Sequence, residues 1–212
     1  NSHGGGGICC GRGATAAPES EIAKLTASDA AASDHFGFSV SVSGDTAVVG
    51  AQRDIPSGSA YIFVRDEGGV DNWGEVAKLT ASDAGVFDAF GAQVAISGDT
   101  TVVVAFGDDD AGGSSGSAYI FERDQGGVDN WGQVAKLIAS DAAVLDFFGR
   151  SVSVSGDTAV VGAFGNDDAD ESSGSAYIFV RDEGGVNNWG QVTKLAASDA
   201  AVRAQFGFSV SV

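Results

Sequence analysis

Methionine does not occur in this chain, not even at position 1, and proline, histidine and cysteine occur only twice each. The two cysteines, Cys9 and Cys10, are adjacent near the start, so no disulfide framework staples the body. Cys9 follows four glycines and an isoleucine, which lacks the apolar run a lipoprotein-type cysteine needs. No stretch approaches the ~18 apolar residues of a membrane-spanning helix, and no secretory signal is visible. Basic residues are scarce: 11 Lys and Arg stand against 29 Asp and Glu, a formal net charge of −18. Phosphate backbones and anionic membrane surfaces need clustered cations, so nucleic acid and membrane insertion are excluded as expected partners. A surface this acidic suits a medium rich in salt or calcium, where counter-ions relieve self-repulsion. No stretch shows helical periodicity.

What is present is repetition. Phe-Gly opens an alternating segment at Phe36-Gly37, Phe90-Gly91, Phe148-Gly149 and Phe206-Gly207, at spacings of 54, 58 and 58. Trp73, Trp131 and Trp189 follow the same period, each closing a Gly-Gly-Val-(Asp/Asn)-Asn-Trp-Gly segment ahead of a Lys-Leu strand. Periods of this length mean stacked supersecondary units, none able to bury its apolar face alone. The boundaries read as a Gly/Ala-rich disordered tail or linker over 1–20 and the last strand of one unit over 21–29. Full repeats follow at about 36–89, 90–147 and 148–205, then the first strand of a further unit over 206–212. The partial units and the missing methionine are what a piece of a longer polypeptide would show.

The third unit shows the grammar. Residues 150–155 alternate, with Val152 and Val154 on one face and serines on the other. Gly156-Asp157 is a turn, 158–163 an almost wholly apolar strand of the kind covered on both faces, and 175–181 an aromatic and β-branched strand. A fourth strand covers 191–195. Four short antiparallel strands per unit predict an all-β fold of β-propeller blades. A sandwich would not need near-identical units, and the rungs of a parallel β-helix are much shorter. The pairs Val40/Val42, Val94/Ile96 and Val152/Val154 are expected to dominate blade-to-blade packing, at about 1.5–3 kcal/mol per buried valine. A charge at Val152 is expected to unfold its blade.

Phe-Gly, alternating strand, Gly-Ala resembles the FG-GAP repeat, the blade of integrin α-chain propellers and of many bacterial surface and secreted proteins. Phe36-Gly37 with Gly50-Ala51 and Phe148-Gly149 with Gly162-Ala163 carry the resemblance. The second unit departs with Val104-Ala105, and the family's proline is replaced by Gln52, Phe106 and Phe164. The resemblance implies a seven-bladed ring, an extracellular, secreted or cell-surface setting, and a non-enzymatic binding, adhesion or scaffolding role. The integrin calcium loop does not carry over, because only Ser-Gly-Asp-Thr occupies its place, too short to supply six to eight oxygens.

Two later loops offer oxygen ligands for Ca²⁺. One holds Asp108, Asp109 and Asp110; the other holds Asn166, Asp167, Asp168 and Asp170. Adjacent carboxylates diverge along an extended chain and lack the alternate spacing that wraps an ion, so solvated turns are the favoured reading. Asp29, Asp83, Asp141 and Asp199, with Asp34, Asp88 and Asp146, precede each Phe-Gly. Their recurrence points to loop backbone bonding and not to acid–base catalysis. His35 stands alone, with no serine singled out as a partner. The tryptophans suit buried anchors better than sugar platforms. The expected partner is a protein or glycan ligand, together with further blades of the same parent chain. The rival functions are a propeller accessory to a secreted hydrolase and a lectin.

Overall fold

The structure, a computed structural model, describes residues 21–212 apart from Asp168, Ala169 and Asn187. The expected tail over 1–20 therefore lies outside the described residues. No helix occurs among the described residues. Twelve strands form three antiparallel meanders: β1 (Phe36–Ser43), β2 (Thr46–Ala51), β3 (Ser59–Arg65) and β4 (Trp73–Leu79); β5 (Phe90–Ser97), β6 (Thr100–Ala105), β7 (Ser117–Glu122) and β8 (Gly132–Leu137); β9 (Phe148–Ser155), β10 (Thr158–Ala163), β11 (Ser175–Arg181) and β12 (Trp189–Leu195). These are three consecutive propeller blades, and the sheets do not close into a ring. The last strand starts two residues earlier than its alternation suggests, because Trp189 and Gly190 pair with Arg181 and Val180.

Packing follows from strands that are apolar on both faces. Every residue of β2 and β6 is buried. Val48, Ala60, Ile62 and Leu79 of the first blade form one core with Phe90, Val94, Ile96, Tyr119 and Phe121 of the second. Val102, Val104, Ile120 and Leu137 repeat this arrangement against Phe148, Val154, Tyr177 and Phe179. The largest fully buried side chains are the tyrosines of the third strands and the phenylalanines Phe90 and Phe148, each of which meets two rings edge-on. These side chains bury more area than the inner-strand valines, which corrects the expectation that the valines dominate. Val94 and Ile96 are 6% and 7% exposed, but Val40 and Val42 are each 63% exposed, because among the described residues no blade packs on that face of the first. Val152 is only half-buried, so a charge there does less harm than one at Val103.

The serine face of the inner strands also has a role. Ser39, Ser41 and Ser43 accept hydrogen bonds at Oγ from the backbone N–H of Val94, Ile96 and Gly98, stitching β1 to β5 across the joint. Ser97 does the same for Gly156. The motif glycines meet across the same joint. A Cβ on Gly91, which has φ +86°, would lie 2.1 Å from the Ser59 carbonyl oxygen, and one on Gly50 would lie 1.9 Å from that of Gly91. Only backbone fits between the blades here. At the next joint Val104 replaces the first glycine and its side chain fills the space beside Gly149.

Residues 21–29 copy the sequence of a fourth strand but form no ladder among the described residues. Leu25 and Ala27 still pack on Tyr61 and Phe63 of the first blade. Residues 206–212 likewise form no strand, although Phe206 bridges to Gly174 and the Val212 N–H donates to Ser153 Oγ.

Candidate functional site

An up-and-down blade sorts its connections to two ends. The β1–β2 and β3–β4 turns and their equivalents share one rim; the β2–β3 loops and the crossovers into the next blade share the other. The first rim is nearly constant in sequence. Ser-Gly-Asp-Thr recurs unchanged at 43–46, 97–100 and 155–158, and the longer turns differ only at Glu67/Gln125/Glu183 and Asp71/Asp129/Asn187. It is built as structure. Asp66 and Asp124, at φ 64°, accept the N–H of Asp71 and Asp129. Arg123 and Arg181 lie over the rings of Trp131 and Trp189, at 5.4 and 5.2 Å from the centroids. The same guanidiniums reach the neighbouring blade, Arg123 donating to Thr46 and Arg181 to Thr100 at 2.7 Å, with Glu122 at 2.6 Å from Arg181. Trp131 and Trp189 are buried anchors with no free face for a sugar.

The other rim keeps a constant frame and changes its side chains. Its frame consists of repeated backbone bonds: Phe90 N–H to Ser57 C=O, Phe148 to Ser115 and Phe206 to Ser173, with Arg53 to Asp34, Gly107 to Asp88 and Gly165 to Asp146. Asp34, Asp88 and Asp146 accept the N–H of Ala31, Gly85 and Ala143, the loop role expected of them. Burial pushes the carboxyls of Asp88 and Asp146 above the ordinary value, and those backbone bonds only partly offset it. On this frame each crossover presents two left-handed residues, none a glycine: Ser33 and His35, Phe87 and Ala89, Leu145 and Phe147, Arg203 and Gln205. That conformation costs a non-glycine residue about 1–2 kcal/mol. Phe87 and Ile55 are each 88% exposed, and Val86, Val144, Leu145 and Val202 are exposed beside them. The ring of His35 stacks on Phe38, and no hydrogen bond reaches it among the described residues.

The first-listed aspartates of the crossovers behave differently from expectation. Asp29, Asp83 and Asp141 pair with the lysine ammoniums of Lys78, Lys136 and Lys194 and do not serve chiefly as backbone caps. In the second blade Lys136 Nζ is 2.6 Å from Asp83, 3.0 Å from Asp108 and 2.5 Å from Asp110, above the ring of Tyr119, whose hydroxyl donates to Asp108. The three carboxylates have oxygens within 4.8 Å of one another, and the ammonium is their counter-charge. Burial works against the charge on Lys136, but hydrogen bonds to Asp110, Asp83 and Asp108 outweigh it and hold the ammonium above the ordinary lysine range. Burial also opposes ionisation of Asp83, yet its bond to Lys136 keeps that carboxyl below the usual range.

The calcium candidates are therefore only partly brought together. Asp108 and Asp110 share Lys136, while Asp109 points to solvent. Asn166 is buried, its Oδ1 accepting from Ser175 at 2.9 Å and from Lys194 at 3.1 Å. Asp167 and Asp170 are exposed, and Asp168 lies outside the described residues. The lysines and tyrosines of these clusters were missed by sequence reasoning. Their signal was the fixed recurrence of Tyr61/Tyr119/Tyr177 and Lys78/Lys136/Lys194, which served only as strand markers.

The sequence matches the family described as FG-GAP repeat over residues 20–63, 73–121 and 131–179, more than half of the chain. The chain belongs to the FG-GAP repeat family. No curated protein matches it. The contact of Gly50 with Gly91 gives the FG-GAP motif its physical sense here: the Gly-Ala of one repeat and the Phe-Gly of the next are two halves of one joint.

Proposed function

We propose that this FG-GAP repeat chain is an extracellular, non-enzymatic binding or adhesion module whose crossovers and β2–β3 loops engage a protein or glycan ligand. One observation carries this reading. Side-chain identity varies from repeat to repeat at crossover tips held in a strained backbone conformation that glycine would adopt without cost. A purely structural turn gains nothing from an exposed Phe87 or Leu145 at such positions. The high negative charge supports an extracellular setting.

Glycan and extracellular-protein arrays probed with the intact chain test this. The expected result is a ligand whose binding is lost in the Phe87→Ser/Leu145→Ser double variant and kept in Val70→Ser/Val128→Ser on the opposite rim. Equal loss from both rims, or no effect from either, would overturn it.

A further inference from the structure

At the joint between the first two blades the variable rim opens into a cleft of about 740 Å³. Ile55, Pro56, Val86, Phe87, Ala89 and Phe106 supply its main apolar wall. Two features of the sequence make room for it. The loop over 52–58 is four residues shorter than its equivalents over 106–116 and 164–174. Ala89 also stands where the next repeat has Phe147.

The third blade shows what belongs in that space. There Phe147 stacks on Phe164, with ring centroids 5.3 Å apart and planes 12° from parallel, and Phe208 closes on Phe164 from another side at 5.7 Å. Phe106 is the counterpart of Phe164, but it has Ala89 and Arg150 in place of the two flanking rings. Among the described residues no ring stacks on Phe106 as Phe147 stacks on Phe164. The second blade thus keeps the platform of a stacked pair without the ring that fills it.

The walls also carry a charge preference. Arg53 lines the cleft and is exposed, and among the described residues no carboxylate lies within ion-pair distance of it. Asp54, beside it, is turned to Lys78 at 2.6 Å, an ammonium it shares with Asp29. Ser33, Gln52, Arg53, Asp54 and Ser57 also line the cleft, but the wall of Ile55, Pro56, Val86 and Phe87 offers no side-chain hydrogen bond and suits a flat apolar ring better than a pyranose edge.

We propose that this cleft binds an aromatic residue carrying a neighbouring carboxylate, supplied by a protein partner, its ring stacked on Phe106 as Phe147 stacks on Phe164 and its carboxylate paired with Arg53. The proposal rests on the reading of this rim as the binding face and names the ligand chemistry at one point of it. Size is consistent, since pockets for small groups commonly run from about 300 to 1,000 Å³ with mainly apolar walls.

The test uses N-acetylphenylalanine and its neutral amide as probes of the full chain, followed by saturation-transfer NMR with detection at the ring protons. Saturable binding is expected in the millimolar range or tighter. Ala89→Phe, which rebuilds the stack seen in the third blade, is expected to weaken binding by about tenfold or more while leaving the melting curve intact. Arg53→Gln is expected to weaken the acid to the level of the amide and to leave the amide unaffected. Unchanged binding to Ala89→Phe, or no saturable binding of the acid to the parent chain, overturns the proposal. Should an array ligand be lost on Leu145→Ser yet indifferent to Ala89→Phe, the cleft is wrong and the rim stands. Should Ala89→Phe abolish probe binding while no rim variant affects the array ligand, the cleft stands and the broader reading falls.

Discussion

The two rims of the same blades share a repeat length, a backbone plan and a sequence rich in Gly and Asp, yet they spend those residues differently. At the constant rim the charged and aromatic side chains turn inward onto one another: Arg181 covers Trp189 and ties to Thr100 and Glu122 of the preceding blade. At the variable rim the backbone bonds repeat while Phe87, Leu145 and Arg203 project from equivalent places. Constancy within a repeat array thus marks where the side chain holds the array together. Variation marks where the frame holds the side chain.

The sharpest way to break this contrast is to damage the joint itself. Val103→Asp places a charge at a site with no exposure and is expected to abolish cooperative unfolding of the second blade, read by circular dichroism. Trp131→Ala is expected to cost about 3–5 kcal/mol in denaturant unfolding, because it empties a buried site and strips Arg123 of its support.

The lysine clusters come next. Lys136→Met leaves buried Asp108 without its counter-charge and is expected to cost about 3 kcal/mol near neutral pH. The pH dependence has a definite sign. Asp83 is depressed in the fold, so its contribution is complete above the ordinary carboxylate value and is lost as pH falls through the native one. Asp88 and Asp146 are raised, so they oppose that loss: protonation relieves them between the ordinary and the raised value. Lys136 is raised above its ordinary 10.5, so its contribution is complete below that value and is lost as pH climbs through the higher native one. Lys78, Tyr61 and Tyr119 are raised as well, so melting midpoints measured against pH are expected to fall on the alkaline side once pH passes the ordinary tyrosine and lysine values, and Lys136→Met is expected to reduce that fall without removing it.

A smaller effect concerns calcium. With the Lys136 ammonium already occupying the space between Asp83, Asp108 and Asp110, the melting midpoint is expected to be the same in chelator and in millimolar Ca²⁺. A rise of several degrees with Ca²⁺, absent in Asp108→Asn, would assign a metal to the second-blade loop. The smallest effects belong to the exposed valines of the constant rim: Val128→Ser is expected to change stability by less than about 0.5 kcal/mol.

Most of the fold was legible in the sequence because strands, turns and blade period are local signals. Val152 and Val154 alternate, Gly156-Asp157 turns, and the Phe-Gly spacing counts the blades. Which face of a strand meets which neighbour is not local. That Ser41 would bond Ile96, or that Val42 would stay exposed while Ile96 is buried, depends on blade stacking and on what else is in the chain. The candidate site was harder still. Lys136 and Asp83 stand 53 positions apart, and their pairing appears only when the crossover folds across β8. The cleft follows from a single small residue, Ala89, whose meaning emerges only beside the stacked Phe147 and Phe164.

The difference between the rims is tested most directly by one paired stability scan. Asp124→Ala on the constant rim and Leu145→Ser on the variable rim both alter a left-handed residue, at φ 64° and 67°, so their denaturation midpoints compare what each side chain contributes at a similar backbone position. The account predicts a loss of about 1–2 kcal/mol for Asp124→Ala, which removes the cap on Asp129, and about zero for Leu145→Ser. A loss at Leu145 as large as that at Asp124 would contradict it, because the variable tips would then be holding the blades together.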